Sequence, residues 1–261
     1  MSAKRETGRR IMRKFIRISL RVFLGIFICL IAYEAIMFIR VWHLRSTNPA
    51  STSLIDARAQ EAEAKGQQPK REQVWVALDR ISPNLQRAVL AGEDTNFLTH
   101  HGFDYEALQK AWDEGMREAT KQAKQEGEDD DWVPTLPDFK RGASTISQQL
   151  AKNLYLSSRR SFFRKGQEAL LTIFLERTLT KKRILEIYLN VIEWGDGIYG
   201  AEAAAQHYFN KPASALSTNE AAFLSAMIPN PRTVFNPQVN PRRVTRRQRI
   251  ILRGMPYVRI P

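Results

Sequence analysis

The hydrophobic pattern of this chain begins with a run that no water-exposed helix would carry. From Val22 to Ile39 the one charged residue is Glu34, whereas residues 1–21 hold eight Lys/Arg against a single acid, Glu6. Eighteen helical residues rise about 27 Å, close to the hydrocarbon thickness of a bilayer. Glu34 costs about 3 kcal/mol if it lies deep, and the dozen or so Leu, Ile, Val and Phe each return about 0.3–0.6 kcal/mol, so insertion wins by a modest margin. A core helix of a soluble protein is seldom apolar for so long. A cleaved signal peptide fits less well, because the run is long and no small-x-small site follows it promptly. Positive charge lies mainly before the span, with Arg40 and Arg45 just after it, which puts the N-terminus in the cytoplasm and the bulk of the chain outside. The pattern predicts a basic cytoplasmic tail over 1–21 and an uncleaved signal anchor over 22–41. Glu34 then either meets a partner inside the membrane or lies near its outer face.

Residues 42–73 are rich in Ser, Ala, Gln and charge, and read as a juxtamembrane linker with some helix. From Val74 onward nearly every periodic segment is helical, so the folded domain is expected over 74–261. Leu85, Ala88, Val89 and Gly92 recur at 3–4 spacing, as do Leu108, Ala111, Trp112, Gly115 and Met116. Glu168 to Leu179 and Ile184 to Leu189 give two further apolar-faced helices. Ser217 and Glu220 form a capping-box pattern opening a helix that Pro229 and Pro231 close, and a basic helix runs from about Pro241 to Arg253. No pair of alternating segments reads as a hairpin, so the class is mostly α. Between Ala119 and Lys140 the composition turns acidic and Pro-containing, and this stretch reads as a surface insertion or a lid before the next motif.

Composition narrows the partners. A formal charge of +13 and a pI near 10.1 favour nucleic acid, an anionic membrane or a phosphate-bearing substrate. An anchored domain facing outward does not meet nucleic acid, which leaves lipid and phosphate. The single Cys29 excludes an internal disulfide.

Two segments carry the candidate chemistry. In Glu93-Asp94-Thr95-Asn96-Phe97-Leu98-Thr99-His100-His101-Gly102, Glu93 closes an apolar helical run at the edge of its buried face. Burial there raises a carboxyl pKa toward the range useful for a general base, and Asp94 beside it pushes the same way. In Gly142 to Asn153, Thr145 and Gln148 fit an N-terminal capping box. The same helix start could seat a phosphate on its free N–H groups. Gln149 and Lys152 share one face of that helix and could reach one ligand. A third, basic stretch follows, with Arg160 and Arg164 one turn apart, Lys165 adjacent and Glu168 a turn beyond; its cations suit a diphosphate.

These segments resemble the motifs of glycosyltransferase family 51, the peptidoglycan glycosyltransferases. The likeness spans Glu93 to Gly102, Gly142 to Asn153, Arg160 to Glu168 and Lys181 to Asn190, in order, and continues through Gly195, Gly197, Tyr199-Gly200, Tyr208-Phe209 and Pro229 to Pro237. One departure is Ser147, where the family usually has Thr. Since no transpeptidase domain follows, the chain resembles the monofunctional, membrane-anchored members.

The resemblance implies a mostly α, lysozyme-like two-lobed domain on the periplasmic face of the inner membrane. The implied substrates are lipid II, a disaccharide-pentapeptide on undecaprenyl diphosphate, and the growing glycan strand. It further implies Glu93 as general base and Glu168 as the second carboxylate. Asp94, Phe97, His100, Ser144, Thr145, Gln148, Gln149, Lys152, Asn153, Arg160, Arg164 and Lys165 are implied as substrate-binding residues. Partners in cell-wall synthesis or division are expected. No cofactor is expected other than a divalent cation such as Mg2+ carried with the diphosphate, since no His/Cys/Asp cluster has ligand spacing. A lytic glycosidase of related fold is the rival enzyme, but it has no need of four cations around a leaving group. A non-enzymatic scaffold would tolerate loss of Glu93.

Overall fold

The computed structural model describes residues 2–126, 144–156 and 161–261. Residues 127–143 and 157–160, with Arg160, lie outside the described residues; of the insertion expected between Ala119 and Lys140, the part up to Glu126 is helical. Helix α1 (Ser2–His43) is continuous and, from Lys14 on, long and apolar enough to cross a membrane. Its last turns pack on the rest of the protein. Met37, Val41 and Leu44 are buried, and Phe38 meets Phe174 edge-on at 5.3 Å. Glu34 accepts a hydrogen bond from Gln167 Nε2 at 3.1 Å, so the group that meets this acid belongs to the same chain. Just beyond the helix, Arg183 donates to the carbonyls of Leu44 and Thr47, both at 2.8 Å.

Residues 42–73 contain the helix expected there and are also docked on the body of the protein. They hold α2 (Ser53–Ala64) and strand β1 (Glu72–Gln73). Thr52 caps α2 by accepting from Ile55 N–H at 3.2 Å. Ile55 is buried, Ser53 Oγ donates to Leu154 O at 3.2 Å, and Arg58 reaches Glu193. Polar composition concealed this docking, because α2 is held by one apolar residue and several specific polar bonds.

Helix α3 (Pro83–Glu93) starts with Ser82 accepting from Asn84 N–H and Pro83 in its first turn. Leu85, Ala88 and Val89 are fully buried. Helix α4 (Tyr105–Glu126) follows the first motif. Then come α5 (Ile146–Tyr155), α6 (Phe162–Thr178) and α7 (Lys181–Val191), and next strands β2 (Glu193–Gly195) and β3 (Ile198–Tyr199). The chain ends on α8 (Ala201–Phe209), α9 (Thr218–Met227) and α10 (Pro241–Gly254). The capping boxes expected at Thr145/Gln148 and Ser217/Glu220 are both formed. Three short strands, order β1-β3-β2, were not foreseen: at two or three residues they cannot display a period of two.

The helices form two groups. In one, α3, α9 and α10 pack mutually; in the other, α6 packs on both α1 and α5, and α7 lies between the groups, touching α5, α6 and α8. The α3–α9 crossing is close because Gly92 has no side chain: a Cβ there would come within 2.7 Å of Ser225 Oγ. Ser225 in turn donates to Ala88 O at 2.8 Å. On α10, Val244 and Ile251 are buried seven residues apart, and Arg247 lies between them on the same packed face. That register aims Arg247 at the end of α3.

Candidate active site

Glu93 is the last residue of α3, and its side chain is 8% exposed. One carboxylate oxygen accepts from Arg247 Nη2 at 2.7 Å and the other from Gln149 Nε2 at 2.9 Å. The Gln149 amide is itself oriented, because its oxygen accepts from the buried Tyr188 hydroxyl at 2.7 Å, which turns the NH2 toward Glu93. Arg247 also donates to Gly92 O at 2.8 Å and lies over the Phe235 ring at 5.6 Å. Burial drives the Glu93 pKa up, and the Arg247 charge, then the Gln149 bond, pull it back. The result is a carboxyl group that is poorly hydrated yet held in one orientation. Sequence reasoning saw a basic helix in α10 but did not single out Arg247. Its signal was the seven-residue apolar spacing that brackets it.

Asp94, Phe97 and His100 form a buried clamp, and Asp94 also lines a cavity of about 190 Å³ with Glu93, Ser144 and Thr145. His100 Nδ1 accepts from Gly102 N–H at 3.1 Å, which leaves the proton on Nε2 to face Asp94 Oδ1 at 2.9 Å. The second Asp94 oxygen accepts from Ile146 N–H at 2.9 Å. The expectation that the α5 N-terminus seats a phosphate is therefore corrected. The anion at that helix end is Asp94, and the Thr145/Gln148 capping box takes further N–H groups. Phe97 is 1% exposed, with the Lys181 ammonium 4.5 Å from its ring centroid. Gly102 has φ +96, and a Cβ there would come within 2.8 Å of Thr172; its carbonyl accepts from Thr145 Oγ at 2.7 Å. The clamp thus joins the first motif to the second. Ser147 is also internal, its hydroxyl on Glu176, so the Thr-to-Ser departure falls in the core.

A cavity of about 450 Å³ opens between the two helical groups, with Glu93, Ser144, Gln149, Lys152 and Asn153 among its lining residues. A second, of about 410 Å³, shares Ser144, Gln149, Lys152 and Asn153 and continues to Gln148, Arg164, Lys165 and Glu168. Together they make one groove. Leu54 of α2 lines both parts.

In the second part Glu168 is buried, bonded to Arg164 Nη1 at 3.0 Å and to the Lys165 ammonium. Lys152, Arg164 and Lys165 together outnumber this one carboxylate, so the end of the groove is cationic. Arg164 Nε is buried with no hydrogen-bond partner among the described residues. Desolvation lowers the Lys152 pKa, with Glu168 opposing the shift. Among the described residues no grouping of His, Cys, Asp and Glu could hold a metal ion. Glu168 already has both oxygens in ion pairs amid cations, a donor set that does not fit Mg2+.

A mostly α fold with a buried carboxylate at one end of a groove and fixed cations at the other defines a class suited to group transfer from an anionic leaving group. The transglycosylase family pattern matches residues 60–127 and 132–256. The chain is 44% identical over 229 residues to the biosynthetic peptidoglycan transglycosylase of Laribacter hongkongensis, covering 88% of this chain and 92% of that protein. It is 42% identical over 250 residues to the protein of the same name from Aromatoleum aromaticum, covering 96% and 100%. For the Chromobacterium violaceum protein of that name the figures are 39% over 245 residues, 94% and 99%. The chain belongs to the transglycosylase family, glycosyltransferase family 51.

Proposed function

We propose that this transglycosylase polymerises lipid II into β-1,4-linked glycan strands and releases undecaprenyl diphosphate. The observation that carries the reading is the placement of Glu93 and Lys152 on one groove that ends in Arg164 and Lys165. Glu93 takes the proton from the 4-hydroxyl of the acceptor sugar. That oxygen attacks C1 of the reducing-end sugar of the donor chain and inverts it, and the bond from C1 to the diphosphate oxygen breaks. Lys152, Arg164 and Lys165 meet the charge gathering on the leaving diphosphate. Arg160 is assigned the same task by its place in the motif. Glu168 holds Arg164 and Lys165 in position, while Ser144, Gln148, Gln149 and Asn153 face the sugars and phosphate. Asp94, Phe97, His100 and Thr145 position the base and α5. A hydrolase acting on finished glycan would not need the cationic end.

α1 is assigned as a single-pass anchor in the inner membrane, N-terminus in the cytoplasm and groove on the periplasmic side, where other cell-wall proteins are the expected partners. Full-length protein in vesicles with lipid II tests the reaction directly, with and without chelator. Glycan polymer is expected in both cases, and its absence from both would sink the proposal. No catalytic step here passes through a metal, so the chelator should change little.

Arg247 makes a further expectation. Arg247→Gln removes the cation that pulls the Glu93 pKa down, so the base ionises only at higher pH. The acidic limb of kcat/KM should move upward. A limb that stays in place would show that Arg247 does not tune the base.

A further inference from the structure

Glu193, at the start of β2, is a further buried carboxylate on the groove, besides Glu93 and Glu168. Its side chain is 6% exposed, and it lines the same 450 Å³ cavity as Glu93. One oxygen, Oε2, takes both Arg58 Nε at 3.2 Å and Arg58 Nη2 at 2.9 Å. The other, Oε1, is buried and has no hydrogen-bond partner among the described residues. Buried carboxylate oxygens are normally paired, and an exception beside a cavity is where a ligand donor would go. Arg58 is itself held by Glu61 at 3.0 Å, and Glu61 accepts from Arg232 at 3.1 Å, so the carboxylate cannot easily turn its free oxygen elsewhere.

We infer that Glu193 Oε1 is a substrate-binding acceptor for an O–H or acetamido N–H of a neutral sugar in the groove. This rests on the glycan reading of the groove above and adds a contact to it. The charges select the ligand. Arg58 offsets Glu193, and Arg232 and Arg247 line the same cavity, so a cationic donor is repelled there. An anion would meet the unpaired carboxylate oxygen. A hydroxyl or amide N–H satisfies that oxygen without adding charge. Glu193 takes no proton in this role; it fixes a ring relative to Glu93.

The test is Glu193→Gln in the full-length protein. Arg58 will claim the amide oxygen, which turns the NH2 into the groove and sets a donor against the sugar's donor. The apparent KM for lipid II should rise about tenfold, with kcat within about twofold and Tm within a few degrees. Should the variant fold poorly, Glu193→Asp keeps the charge for Arg58 but withdraws the free oxygen by one methylene, and the same rise in KM is expected. An unchanged KM in a folded variant, or a fall in kcat alone, overturns the inference and leaves Glu193 as an ion-pair partner. Wild-type protein that forms no polymer would instead overturn the reaction itself.

Discussion

Glu93→Gln is expected to cut lipid II polymerisation to below about 1% of wild type while leaving lipid binding nearly intact. General-base catalysis is worth about 10²–10⁴ in rate, and the amide cannot take a proton. The neighbours make this substitution less than neutral. Gln at this position keeps one oxygen to accept from Arg247, but its NH2 then faces the Gln149 NH2, which now donates to the second carboxylate oxygen and is held that way by Tyr188. One donor set against another costs about 1–3 kcal/mol, so the fold should survive with Tm lowered by several degrees. Turnover above about 1% in a folded variant would reject the base assignment, and loss of lipid binding in step with turnover would point to a binding role instead.

Lys152→Met is expected to separate activity from stability in opposite directions. Loss of a fixed charge facing the leaving diphosphate should lower kcat/KM by about 10²–10³, the scale found when one transition-state donor is removed. Stability should hold or improve. Burial lowers the Lys152 pKa, meaning that the folded protein disfavours the charged form relative to the unfolded chain. That penalty applies below the lowered pKa, where the lysine is charged in both states, and fades as pH rises through the ordinary lysine range. Methionine carries no such penalty at any pH and fills similar space. Thermal melts at neutral pH alongside polymerisation kinetics check both halves. A destabilised variant with near-normal kinetics would make Lys152 a structural residue.

How much of this could be read from residues alone differs from element to element. Helices α3, α7, α9 and α10 announced themselves through apolar spacing, or in α9 a capping box, because these signals are local in sequence. Glu93 and the cations of the groove stood out as motif residues. What they touch did not. Asp94 reads as a second acid beside Glu93, yet its oxygens go to His100 and Ile146 N–H, a pairing across fifty-two residues that no local pattern encodes. Arg247 and Glu193 were missed for the same reason, since their partners lie 154 and 135 residues away. Within 42–73 the sequence showed some helix but not its docking, because α2 is held through caps and ion pairs, and composition measures neither.

The junction of α1 with α6 has a mechanical consequence. With Phe38 against Phe174, Glu34 on Gln167 and Arg183 gripping the chain just past His43, no slack tether separates the long apolar helix from the body that carries the groove. Any lean of that helix is passed on to the groove as a whole. On the membrane reading proposed above, the enzyme would sweep for a lipid-borne substrate in two dimensions at constant altitude, its aim set by the tilt of one rod.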